Sequence, residues 1–150
     1  MFKRILVPVD GSETSNRALV AALQLARDSG GRVRVIHAID ERAYLSSFES
    51  TGQILDTARR DAAATLGDAL AVASASGVPA ESRLLEAGGH RLGEVVAEEA
   101  HAWDADLVVV GTHGRRGVRR MLLGSGAEQV LRLAPVPVLA VRTREKPDPH

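Results

Sequence analysis

The sequence predicts an α/β fold: an open five-stranded parallel sheet with helices on both faces. Short apolar runs rich in β-branched residues alternate with longer stretches of helical periodicity. Glycine and proline punctuate the joins between them. The composition, 45% hydrophobic and 25% charged, is that of an ordinary globular domain. At 150 residues one core suffices, so residues 1–150 read as a single domain with a frayed tail over residues 143–150.

The strand candidates are Arg4–Val9, Arg32–Ile39, Glu81–Leu85, Asp106–Val110 and Val136–Val141. The first helix is marked by Ala18, Leu19, Ala22, Leu23 and Ala26, and Gly30 and Gly31 close it. In the second, Ile54, Ala58, Ala62, Leu66 and Leu70 recur every four residues, with Gly77 and Pro79 as the stop. Leu92, Val95, Val96 and Ala100 mark the third helix, after Gly88 and Gly89. Ala127, Val130, Leu131 and Ala134 mark the fourth, which Pro135 ends. Pro137 cannot donate a ladder hydrogen bond, so the last strand is expected at an edge. The stretch Asp40–Gly52 reads as an irregular flap carrying Tyr44 and Phe48.

Composition also removes function classes. Lys plus Arg equals Asp plus Glu, 19 each, so there is no general basic field for nucleic acid. Aromatic residues are 3%, too few for a base-stacking platform. With no cysteine there is no disulfide, thiolate metal site or cysteine nucleophile. The five histidines lack close ligand spacing, so no metal site is expected. No run approaches the roughly 18 apolar residues of a membrane span. A cytoplasmic protein without membrane or nucleic-acid partners is the expectation.

Chemistry concentrates in Gly111–Gly126, GTHGRRGVRRMLLGSG, between an apolar strand and a helix. Its spacing is G-x2-G-x9-G-S, with Gly111, Gly114, Gly124 and Ser125 in place. Bare backbone N–H groups and a helix N-terminus together make a phosphate cradle. In an open parallel sheet the ligand crevice lies beyond the carboxyl ends of the strands, where crossovers diverge. If the first strand is central and the fourth lies beside it, Asp10 could accept a hydrogen bond from a ribose hydroxyl, and the turn His37–Asp40, with Ala38 and Ile39, could offer apolar contact and backbone hydrogen bonds to a base. His113 and Arg115 are candidates for phosphate contact, and Pro8, Val9 and Gly126 flank the two loops. The sequence has no G-x4-G-K-[ST], no G-x-G-x-x-G after the first strand and no G-x-S-x-G elbow.

The opening ILVPVDGS, the turn HAID, the loop GTHGRRG with LLGSGAEQVL and the ending APVPVLAVR together resemble the universal stress protein family, in its ATP-binding branch. The resemblance spans nearly the whole chain. It implies an adenine nucleotide α-hydrolase-like sheet of strand order 3-2-1-4-5. It implies a homodimer through Val136–Val141 and ATP, with or without Mg2+, as ligand. By match, Asp10 would take the ribose; Gly114, Gly124 and Ser125 the phosphates; and Val9 and Ala38 the neighbourhood of the adenine. The function implied is a nucleotide-dependent stress or energy signal passed to a protein partner. Two alternatives stand beside it: a slow ATPase or autophosphorylating enzyme, and an interaction module without nucleotide.

Simpler roles compete at single residues. Asp10 is suited to capping or buttressing the turn into the first helix. Ser125 and Glu128 spell S-x-x-E, a capping box, with Glu128 expected to point away from any ligand. His37 and Trp103 read as structural.

Overall fold

The computed structural model describes residues 1–39, 51–112 and 125–142. Tyr44 and Phe48, the glycine-loop residues His113, Gly114, Arg115 and Gly124, and the tail from 143 lie outside that set. The elements are β1 (Arg4–Pro8), α1 (Glu13–Ser29), β2 (Arg32–Ile39), α2 (Thr51–Ser76), β3 (Ala80–Glu86), α3 (Leu92–Ala102), β4 (Leu107–Gly111), α4 (Ser125–Leu133) and β5 (Val138–Val141).

The five strands form one parallel sheet in the order β3-β2-β1-β4-β5. Strand residues alternate between two cores, as a pleat requires. Ile5, Val7, Val33, Val35, Leu107 and Val109 pack on one face with α1 and α2. Leu6, Ile36, Val108 and Val110 pack on the other with Val96, Ala100, Ala127 and Val130 of α3 and α4. The crossovers α1 and α2 therefore lie on one face and α3 and α4 on the other. Their direction reverses between β1 and β4.

Local chemistry fixes the ends. Ser12 caps α1, its side chain accepting from Ser15 N–H. At the other end Gly30 sits at φ 70, and Gly31 N–H donates back to Ala26 O at 2.8 Å, a glycine-terminated helix stop. β5 is shorter than the sequence pattern suggested: Pro137 offers only its carbonyl, which accepts from Val108 N–H at 3.0 Å. The helix α2 starts at Thr51, ahead of the Gly52 expected to end the flap.

One part of the α3 side is polar. Glu99, buried on α3, accepts from Arg34 Nη1 at 2.7 Å and Arg83 Nη1 at 3.2 Å. Arg34 Nη2 also reaches Glu81 at 3.2 Å. The guanidinium groups of Arg4 and Arg34 lie 4.7 and 4.8 Å from the centre of the buried Trp103 ring. Arg4, Arg34 and Glu81 lie in the amino-terminal half of β1, β2 and β3, and Arg83 at the middle of β3.

Candidate functional site

β1 ends by being clamped to β2. Val9 N–H donates to Ile36 O at 2.8 Å, and His37 Nδ1 lies 2.6 Å from Val9 O. A carbonyl only accepts, so Nδ1 carries the hydrogen and His37 donates. This is the structural role read from the sequence.

Asp10 follows directly, and its place in the turn is defined. Ser12 N–H donates to Asp10 Oδ1 at 2.9 Å, and Asp10 N–H donates to Ser15 Oγ at 3.3 Å. Asp10 thus closes an Asx turn, and Gly11 at φ 82 completes the bend. Of the two simpler roles open to Asp10, capping belongs to Ser12 and buttressing to Asp10.

The first turn of α1 then meets β4. A Cβ built on Gly111 would stand 2.8 Å from Thr14 Cγ2 and 2.9 Å from Thr14 C and O. Two of those atoms are backbone, so nothing larger than glycine fits without moving the helix. Gly111 also has no left-handed φ; among the described residues the glycines with positive φ are Gly11, Gly30, Gly77, Gly88 and Gly89. Its missing side chain lets the β1–α1 turn and the end of β4 touch.

The two neighbouring positions of β2 finish this edge. The last β1–β2 register pair is Pro8 with Ile36. Ile36 O faces β1, where it accepts from Val9, and Ile39 O faces β3, where it accepts from Ala87 N–H at 3.0 Å. By that alternation the backbone of half-buried Ala38 faces the space beyond the end of β1.

α4 starts at Ser125. Its first turn is held by the first turn of α3. Gln129 Oε1 accepts from Gly93 N–H at 3.1 Å, standing in for the side-chain cap that Arg91 does not supply. A Cβ on Gly93 would stand 2.3 Å from Gln129 Cβ, and one on Gly126 2.9 Å from Leu92 Cδ2. Glu128 is exposed and pairs with Arg132 at 3.3 Å, on the solvent side as expected.

Pro8, Val9, Asp10, Ala38, Ile39 and Gly111 therefore gather at the carboxyl edge of three adjacent strands. Ser125 and Gly126 open the helix that starts at that edge. Sequence reasoning missed Thr14, Gly93 and Gln129. The available signal was Gly93, a glycine inside a helical stripe, which implies close packing because glycine is otherwise unfavourable there. It also missed Thr112. This residue is fully buried, and its Oγ1 has no hydrogen-bond partner among the described residues.

A doubly covered open sheet with its crossovers reversing at β1 and β4 belongs to the class of α/β proteins that take ligands at a topological switch point. The sequence model described as the universal stress protein family matches residues 1–142. A universal stress protein of Staphylococcus aureus strain USA300 is 33% identical over 147 residues, covering 97% of this chain and 87% of the relative. A solved member from Burkholderia pseudomallei superposes with a TM-score of 0.76 at 30% identity, covering 93% of this chain and 96% of that one. A universal stress protein solved in complex with cAMP superposes at 0.69 with 28% identity, over 95% and 98% of the two chains. The chain belongs to the universal stress protein family.

Proposed function

We propose that this protein binds an adenine nucleotide, ATP foremost, in the crevice between the ends of β1 and β4. Nucleotide occupancy is the signal that it presents to a protein partner in the cytoplasm. The observation that carries this is the convergence of Asp10, the Ala38 backbone and the α4 N-terminus on one switch-point edge. A carboxylate suits ribose hydroxyls, an open backbone edge suits a purine, and a helix N-terminus suits phosphate. The solved relative in complex with cAMP supports the ligand class. Among the described residues no three His, Asp or Glu side chains group to hold a metal ion, so Mg2+ would enter on the phosphates.

We further propose a homodimer through β5. The two sheet edges differ in chemistry. β3 presents exposed Glu81, Arg83 and Glu86, charges that discourage edge pairing. β5 reads VLAV with Leu139 39% exposed, and Leu131 and Leu133 of α4 are exposed as well. Among the described residues no helix is long and apolar enough to cross a membrane.

The test is calorimetric titration of nucleotide-stripped protein with ATP and Mg2+, and separately with cAMP, beside Gly114→Glu. Saturable ATP binding that the variant loses is expected. A well-folded parent that binds neither nucleotide overturns the assignment.

A further inference from the structure

The peptide unit between Val9 and Asp10 is gripped on both sides by side chains. The β1–β2 register ends at Pro8 with Ile36, and Val9 N–H donates to Ile36 O at 2.8 Å. The next rung of a parallel ladder would run from Ala38 N–H to Val9 O. Pairing stops short of it, and His37 Nδ1, 2.6 Å away, donates to that oxygen. On the other side of the same unit, Asp10 N–H donates to Oγ of buried Ser15 at 3.3 Å. Ser15 Oγ is fixed in turn, donating to Ser12 O at 3.1 Å.

A trans peptide is planar, so gripping its oxygen and its N–H sets its orientation. What remains is rotation about the bonds of Asp10 itself. The bond from Ser12 N–H to Asp10 Oδ1 at 2.9 Å takes that up. Histidine suits this task. Val33 and Val35 face the α1 side of the sheet, and His37 follows them in the alternation. An apolar residue at that position would extend the stripe. It would leave Val9 O to water or to one more rung, which would draw Asp10 toward β2.

Resting on nucleotide binding at the crevice, we propose that His37 is a positioning residue for that ligand: its Nδ1–H holds the Val9–Asp10 peptide in the orientation from which the Asp10 carboxylate meets a ribose hydroxyl. His37 acts through Asp10.

The full chain is titrated with ATP and with dideoxy-ATP, which keeps the base and the phosphates but lacks both ribose hydroxyls. The parent is expected to prefer ATP. His37→Leu is expected to bind ATP about tenfold more weakly and dideoxy-ATP within about threefold of the parent, so that the preference collapses. His37→Asn, whose side-chain N–H reaches the place of Nδ1, is expected to keep the parent's preference to within about threefold. In an Asp10→Ala background, where the carboxylate is gone, adding His37→Leu is expected to cost less than about threefold. Unchanged ATP affinity in His37→Leu overturns the proposal. So does an equal loss for both nucleotides, which marks a general distortion. An undiminished loss on top of Asp10→Ala also overturns it, because the effect is then independent of the carboxylate. Should His37→Leu not fold, Ser15→Ala decides, since it frees the N–H side of the same peptide: a collapsed preference supports the proposal and a preserved one overturns it. A parent that binds neither nucleotide removes the nucleotide reading and this inference with it. A parent that binds both alike removes the ribose contact of Asp10 and what rests on it, and leaves nucleotide binding standing.

Discussion

At the scale of single residues, the site and the charged cluster make opposite demands. Asp10 uses one carboxylate oxygen to hold its own turn, which fixes the side chain before any ligand arrives. Glu99 serves packing: it is 6% exposed and neutralises Arg34, whose side chain is 17% exposed. Removing one member of a buried pair leaves an uncompensated charge, which costs about 3–5 kcal/mol. Arg34 keeps Glu81 and the Trp103 ring, so Glu99→Ala is expected to lower unfolding stability by about 3 kcal/mol. ATP affinity should not change, since Glu99 lies on α3 and contacts strand residues other than Asp10, Ala38 and Gly111. A denaturant titration showing a loss under about 1 kcal/mol would mean that the pair is well hydrated. The part of Asp10 in its turn could be read from the sequence, because short polar residues such as aspartate favour these positions. The unpartnered hydroxyl of Thr112 could not, because a threonine ending an apolar run looks like any other β-branched strand residue.

Between elements, the close approaches are made by glycines whose purpose the sequence leaves ambiguous. Gly111 was read as part of a phosphate loop, and the structure gives its bare Cα a packing role against Thr14. The periodic stripes located the helices because each buries a face, and the apolar runs located the strands because a doubly covered sheet buries both. Strand ends were harder, since Pro137 trims β5 through a missing N–H that no hydropathy pattern records. At the α3–α4 contact, Gly93→Ala gains about 1 kcal/mol of helix propensity. It also drives a methyl group into Gln129, and overpacking costs about 1–3 kcal/mol. A net loss of stability is expected, together with faster amide exchange at the start of α3. Unchanged stability would show that the two helices part freely.

For the whole molecule, the parallel sheet followed from strand–helix alternation, but alternation alone fits several strand orders. The order 3-2-1-4-5 came from the family resemblance, and the structure bears it out. Light scattering at micromolar concentration is expected to give a dimer, and Leu139→Lys to give a monomer that still binds ATP. A parent monomer would count against pairing at β5. The contrast between the two edges also bears on how far association can go. A two-fold pairing of β5 with β5 consumes both apolar edges and leaves a charged β3 at each end of a joined sheet. Growth would then stop at two copies, because an isologous contact is closed and charged outer strands discourage edge pairing. The same sheet with its edge chemistries exchanged would bring β3 strands together instead, with the crevices at a different distance from the joint. If β5 pairs with β5 as proposed, the placement of a few charges on β3 would set both the copy number and the spacing of the two crevices.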